Sequence, residues 1–274
     1  MSRKNALNTI AAVNKFLENT SKLWNQYEHQ PLPNSRAAKE LAEFPRPESI
    51  GTVYSQGTIL IEVAADYAFA TAKTLTEPAE TIAPWACARG VLETSALSMW
   101  LLDTGVDASE RVKRSLAFRY DGLDQQKKFM KSAGGRINPQ TIVPRIVEIE
   151  QIVLSLGFDK VTDINGKRIG VGQKMPSVTE IVIRMLNKEQ DYRLLSAMVH
   201  AHPWALQLYG FIKTDQDQMI FGNVKGAYFE KHISADSIFF MYKLCDKSLS
   251  GAFNELQPFW LGCKTIGNRD SQRN

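Results

Sequence analysis

The chain has 274 residues, enough to bury a substantial core as one large domain or as one domain with appendages. Its 44% hydrophobic and 23% charged residues are those of an ordinary globular protein. An excess of 33 Lys and Arg over 29 Asp and Glu, a net +4, is too weak to imply nucleic acid by itself, so any phosphate-binding surface must be local.

Three scattered cysteines, Cys87, Cys245 and Cys263, form no Cys-x-x-Cys pair. That argues against a zinc knuckle or a disulfide framework and points to the reducing cytoplasm. The start of the chain has basic residues but lacks the apolar core and small-residue cleavage site of a secretory signal. No run approaches the ~20 apolar residues of a membrane span, so no membrane is expected.

Taken in order, residues 5–27 predict a helix, with Ile10, Val13, Leu17 and Trp24 at helical spacing. Pro31, Pro33, Pro45 and Pro47 mark residues 30–50 as a connector around a short helical patch at 35–44. The expected organisation is an N-terminal helix and connector over 1–50, a helical bundle over 51–262 and a flexible tail over 263–274. Residues 52–75 predict a long alanine-rich helix with Ile59, Val63, Tyr67 and Phe69 toward its apolar side. Residues 84–103 predict a second, whose small residues nearly all round suggest deep burial.

Within that helix Arg89 and Glu93 stand four apart, and a buried charge is costly unless paired. Either they neutralise one another or one faces a ligand. The sharper possibility is that Glu93 orients a histidine from later in the chain.

Asp107 and Glu110 make a capping-box-like start, and Gly134-Gly135 a stop, for a helix over 108–133. Arg111, Lys113, Arg114, Arg119, Lys127, Lys128 and Lys131 make it the densest basic stretch in the chain. It reads as a solvated face, with a phosphate or RNA surface as the alternative. A further helix over 138–156, with Ile146, Ile149, Ile152 and Val153 as its core face, stops at Gly157. Asn165-Gly166 then turns a hairpin. Ser177 and Glu180 cap another helix, residues 211–229 suggest a second hairpin, and 234–256 a last helix.

The stretch 189–208 is the one that concentrates chemistry. Arg193 and His200 are seven positions apart, which at ~100° per residue places them within about 20° of each other on one helix face, with Ser196 nearby. Tyr192, Leu195, Val199 and in part Met198 supply the adjoining apolar surface, and Pro203 ends or kinks the helix just beyond His202. The rise between the guanidinium and the imidazole is roughly 10 Å, so a phosphate or water would have to bridge them. The plainer reading pairs Arg193 with Glu189 and His200 with Ser196. His200 and His202 form His-x-His, but no third ligand at helical spacing accompanies them, so neither a metal nor another cofactor is expected. Nucleophile-elbow, Walker, dinucleotide and His-Glu-x-x-His patterns are absent from the sequence.

The Arg193-to-His200 spacing in an all-helical setting resembles the Arg-x(4-6)-His signature of HEPN-type domains, helical proteins of bacterial toxin and antiviral systems. The chain is also similar to uncharacterised bacterial helical proteins with an Ala-Arg-x-x-x-Glu helix, here Ala88, Arg89 and Glu93, and a later Leu-Ser-x-x-x-His helix, here Leu195, Ser196 and His200. The resemblance spans about 84–208. The predicted elements make the chain an all-α, multi-helix bundle with one or two short β-hairpin insertions, and the resemblance implies metal-independent RNA cleavage. His200 would transfer protons, with Ser196 beside it, and Arg193 would steady charge on phosphorus, in a site formed across a homodimer. Leu194 departs from that pattern, where the residue after the arginine is polar.

The competing class is a non-catalytic dimeric scaffold or small-molecule binder. In it Arg89, Glu93, Arg193 and His200 form an internal network, with His202 nearby, and Trp85, Trp100 and Trp204 line a pocket for a small apolar ligand.

Overall fold

The computed structural model describes residues 3–25, 31–76, 79–132, 139–166, 168–221 and 224–261. Those residues form ten α-helices and two small antiparallel sheets, an all-α architecture with short β insertions. No helix among them is long and apolar enough to cross a membrane. Gly134, Gly135, Asn138, Cys263 and the tail 263–274 lie outside the described residues.

The chain divides into two compact units, each assembled from three separate stretches. The first comprises Met1–Tyr27, Ile59–Leu97 and Val178–Asn254; the second Glu28–Thr58, Ser98–Ser177 and Glu255–Asn274.

The first unit contains α1 (Arg3–Asn25), most of α3 (Pro47–Thr74) and most of α4 (Ala83–Leu101). Proline is well placed at a helix start, where its missing N–H is no loss, and α3 accordingly begins at Pro47, five residues before the expected position. Its packing side also differs from expectation. Ile59, Val63 and Tyr67 are exposed, while Ile61, Ala64, Ala65, Ala68 and Ala72 are buried at i, i+3, i+4 spacing. The alanines are the ones that let a neighbouring backbone approach, so Ile59, Val63 and Tyr67 fall outside their stripe. Tyr67 still covers Gly90 of α4, where an added Cβ would stand 2.7 Å from its ring. As its composition suggests, α4 is buried along most of its length, with Trp85, Ala88, Val91, Leu92 and Ala96 at or near zero exposure.

The later part of this unit holds α7 (Val178–Leu186), α8 (Glu189–Val199), α9 (Pro203–Tyr209), the hairpin β4 (Phe211–Phe221) with β5 (Val224–Lys231), and most of α10 (Ala235–Trp260). The expected second hairpin is therefore present. Its regular base pairs Phe211 with Lys231, Ile212 with Glu230 and Lys213 with Phe229.

The second unit begins with α2 (Arg36–Glu43), capped by Ser35, whose hydroxyl accepts the Ala38 N–H at 3.1 Å. Asp107 caps α5 (Ala108–Ser132) in the same way, accepting the Glu110 N–H at 2.7 Å. A 3-10 turn over Pro139–Ile142 leads into α6 (Val143–Ser155), which ends on Gly157 at φ +69°. There Phe158 N–H returns to the Val153 carbonyl, a Schellman stop. The Asn165-Gly166 turn joins β1 (Lys160–Thr162) to β2 (Arg168–Val171), and β3 (Gln173–Lys174) adds a third strand that the sequence reading did not include.

Two of the basic residues of α5 face the interior. Arg111 is buried and donates to the Val106 carbonyl and to Glu40; Arg114 is buried and donates to the Trp100 carbonyl, Asp103 and Glu110. They hold the unit together and are withdrawn from any phosphate-binding face.

Candidate functional site

The polar cluster that stands out in the first unit is built from two helices. Arg89 and Glu93 lie one turn apart on α4, and Arg89 Nε donates to Glu93 Oε1 at 2.8 Å. Tyr192 of α8 donates its hydroxyl to the same carboxylate oxygen at 3.0 Å and receives Arg89 Nη2 at 3.3 Å. Arg89 Nη1 meets His200 Nε2 at 3.2 Å. A guanidinium can only donate, so Nε2 accepts, which places the ring proton on Nδ1.

The ion pair is partly sheltered, with side chains 21% and 27% exposed. Burial pulls the Arg89 pKa down, but the Glu93 carboxylate more than offsets it, and the net shift is upward. Arg89 therefore stays charged at its place in the cluster. It also carries more N–H groups than these bonds use, so donors remain for an incoming anionic oxygen.

The geometry of His200 follows from how α8 stops. His200 is the C-cap, Ala201 adopts φ +54°, and the N–H groups of Ala201 and His202 return to the carbonyls of Met198 and Ala197. This is a Schellman stop made with alanine in place of glycine. The helix ends one residue before His200, so the single continuous helix expected up to His202 is two helices joined by a tight reversal. Ala201→Gly is expected to stabilise the protein by about 0.5–1 kcal/mol by relieving the left-handed alanine, read as a higher midpoint in thermal unfolding.

Arg193 goes elsewhere. It is 68% exposed and makes a two-pronged contact with Glu189, at 2.9 and 2.8 Å, as the plainer reading expected. Ser196 contributes its backbone carbonyl, which accepts the His200 N–H at 3.0 Å. His202 begins α9 without a side-chain cap, its ring 6.5 Å from that of His200. Of the three tryptophans, Trp85 is buried against Tyr209 and Phe240, and Trp100 is buried in the second unit under Arg114. Only Trp204 is exposed.

Tyr192 is the member that sequence reasoning assigned to apolar packing alone. Its ring is buried and its hydroxyl bonds two charged groups. A tyrosine on an apolar face still needs a partner for its hydroxyl, and that requirement was the available signal. Among the described residues no group of three or more His, Cys, Asp or Glu is arranged to hold a metal ion.

No family model, curated protein or solved structure matches this chain. The functional reading therefore rests on the cluster itself.

Proposed function

We propose that the chain is a HEPN-like helical protein acting as a metal-independent endoribonuclease, with His200 as the proton-transfer group and Arg89, in place of Arg193, as its cationic partner. The observation that carries this reading is the 3.2 Å approach of Arg89 Nη1 to His200 Nε2 across two helices. It puts a fixed positive charge beside an exposed imidazole whose basic nitrogen points at it.

In this reading an RNA phosphate displaces His200 from Arg89, whose unused donors bind the non-bridging oxygens while Glu93 and Tyr192 hold its plane. The released Nε2 takes the proton of the ribose 2′-hydroxyl as the new O2′–P bond forms and the P–O5′ bond breaks. The departing 5′ oxygen takes a proton through solvent, leaving a cyclic phosphate and a 5′-hydroxyl. A homodimer would bring two such sites together.

The test is incubation of purified protein with RNA, with and without chelator, beside His200→Ala. The expected result is cleavage that chelator leaves unchanged and that falls by about 10²–10⁴-fold in the variant. Cleavage that survives in His200→Ala, or that chelator abolishes, overturns the reading. The bonds from Arg89 to Glu93, Tyr192 and His200 also favour a second reading, a non-catalytic scaffold held by a polar network. Clean protein with neither cleavage nor RNA retention would favour it over the nuclease.

A further inference from the structure

Next to Ala201 the first unit has an open apolar hollow of about 310 Å³, lined by Ala201, Pro203, Leu206, Gln207, Phe211 and Phe229. Directly opposed residues of an antiparallel pair share a face, as do residues two apart along a strand. Phe211, Lys213, Phe229 and Lys231 therefore all project from one face of the hairpin base, in a checkerboard of two aromatic rings and two cations. Ile212 and Glu230, the one acidic residue among these register pairs, project from the other. Both lysines are exposed, and neither has an ion-pair partner among the described residues. Aromatic faces alternating with unpaired cations suit a planar apolar ring followed at regular intervals by an anion.

We propose that this face binds single-stranded nucleic acid, one base entering the hollow against Phe211 and Phe229 while Lys213 and Lys231 hold the flanking phosphates. The inference rests on the reading of His200 as acting on RNA and names the form of strand that reaches it. Stacking on phenylalanine is tolerant of base identity, because every base has a π-face, so little sequence preference is expected. A duplex keeps its bases stacked on one another and offers none to the hollow. Ala201, which lines the hollow, is the chain neighbour of His200 and His202, so a base held here sits close along the chain to the imidazole.

Fluorescence anisotropy with labelled U12, dT12 and a matching duplex tests this, using the His200→Ala protein so that binding is read without turnover. Single strands are expected to bind at least about tenfold tighter than duplex, and Phe229→Leu, which keeps an apolar side chain but no π-face, to weaken them about tenfold. Phe229→Tyr should restore binding. In the double variant Lys213→Gln, Lys231→Gln, whose altered residues are exposed, the slope of log affinity against log salt should fall by roughly 1.4. Comparing U12 with dT12 separates RNA from DNA as the source of the strand.

Equal binding of duplex, or single-strand binding untouched in Phe229→Leu, overturns the inference. Binding of an apolar dye with no binding of any strand does so too. Phe229-dependent strand binding by a wild-type protein that cleaves no RNA would leave this inference standing and remove the proposed nuclease. His200-dependent cleavage with binding unchanged in Phe229→Leu would do the reverse.

Discussion

Glu40→Ala is expected to lower stability by about 3–5 kcal/mol, because it leaves the Arg111 charge buried with no carboxylate beside it. Arg111 has no exposed surface, and Glu40 is the carboxylate paired with it. The same carboxylate accepts the Tyr54 hydroxyl at 2.5 Å and Arg36 Nε at 2.8 Å. Arg111 Nε is buried with no hydrogen-bond partner among the described residues. A loss of that size is a large part of a typical domain's stability and would be read as a fall in the urea midpoint. Restoring the site with an apolar pair, Glu40→Leu with Arg111→Met, should recover most of it, since the cost is that of an orphaned charge. A Glu40→Ala protein as stable as the parent would mean that water reaches Arg111.

The same carboxylate sets an acid limit. Burial pushes the Glu40 pKa up, but the bonds from Arg111, Tyr54 and Arg36 outweigh it, and the folded pKa lies below the ordinary glutamate value. Its contribution is thus present above the unfolded pKa of about 4.3 and is lost as pH falls from there through the lower, folded value. Glu40→Ala should flatten that part of the acid-unfolding curve.

Arg89→Lys is expected to reduce RNA cleavage by about 10²-fold or more, while Arg193→Ala changes it by less than about threefold. A lysine is a point charge that cannot span Glu93, Tyr192 and His200 together, as the planar guanidinium does. Arg193 is tied to Glu189 on the exposed side of α8 and has no part in the cluster. A readout independent of turnover is the nitrogen NMR spectrum of His200, where the Nδ1–H tautomer should predominate in the parent and lose its preference in Arg89→Lys. Damage from Arg193→Ala with Arg89→Lys unharmed would return the cationic role to the residue that spacing alone selected.

These contrasts mark what could be read from the sequence. Local signals carried well. Asp107, Gly157 and the Asn165-Gly166 turn act through bonds to residues a few positions away, and each does in the fold what its chemistry suggests. The Arg89–Glu93 and Glu189–Arg193 pairs were legible for the same reason, being one helical turn apart. The meeting of Arg89 with His200 joins residues 111 positions apart, and no pattern within one helix encodes it. The face of α3 was misread because bulk was taken for burial, whereas its alanines make the close contact. The end of α8 was missed because alanine is a strong helix former and rarely signals a left-handed stop.

Both units are stitched from stretches that lie far apart along the chain, and α10 contributes to the last stretch of each. In the second unit Phe259, near the end of that helix, lies against the guanidinium groups of Arg36 and Arg111, each 4.6 Å from its ring centre. A nascent chain that extends only to residue 200 therefore lacks part of both cores. Completion of either core waits on α10, and the nascent chain must keep its apolar surfaces from aggregating until then.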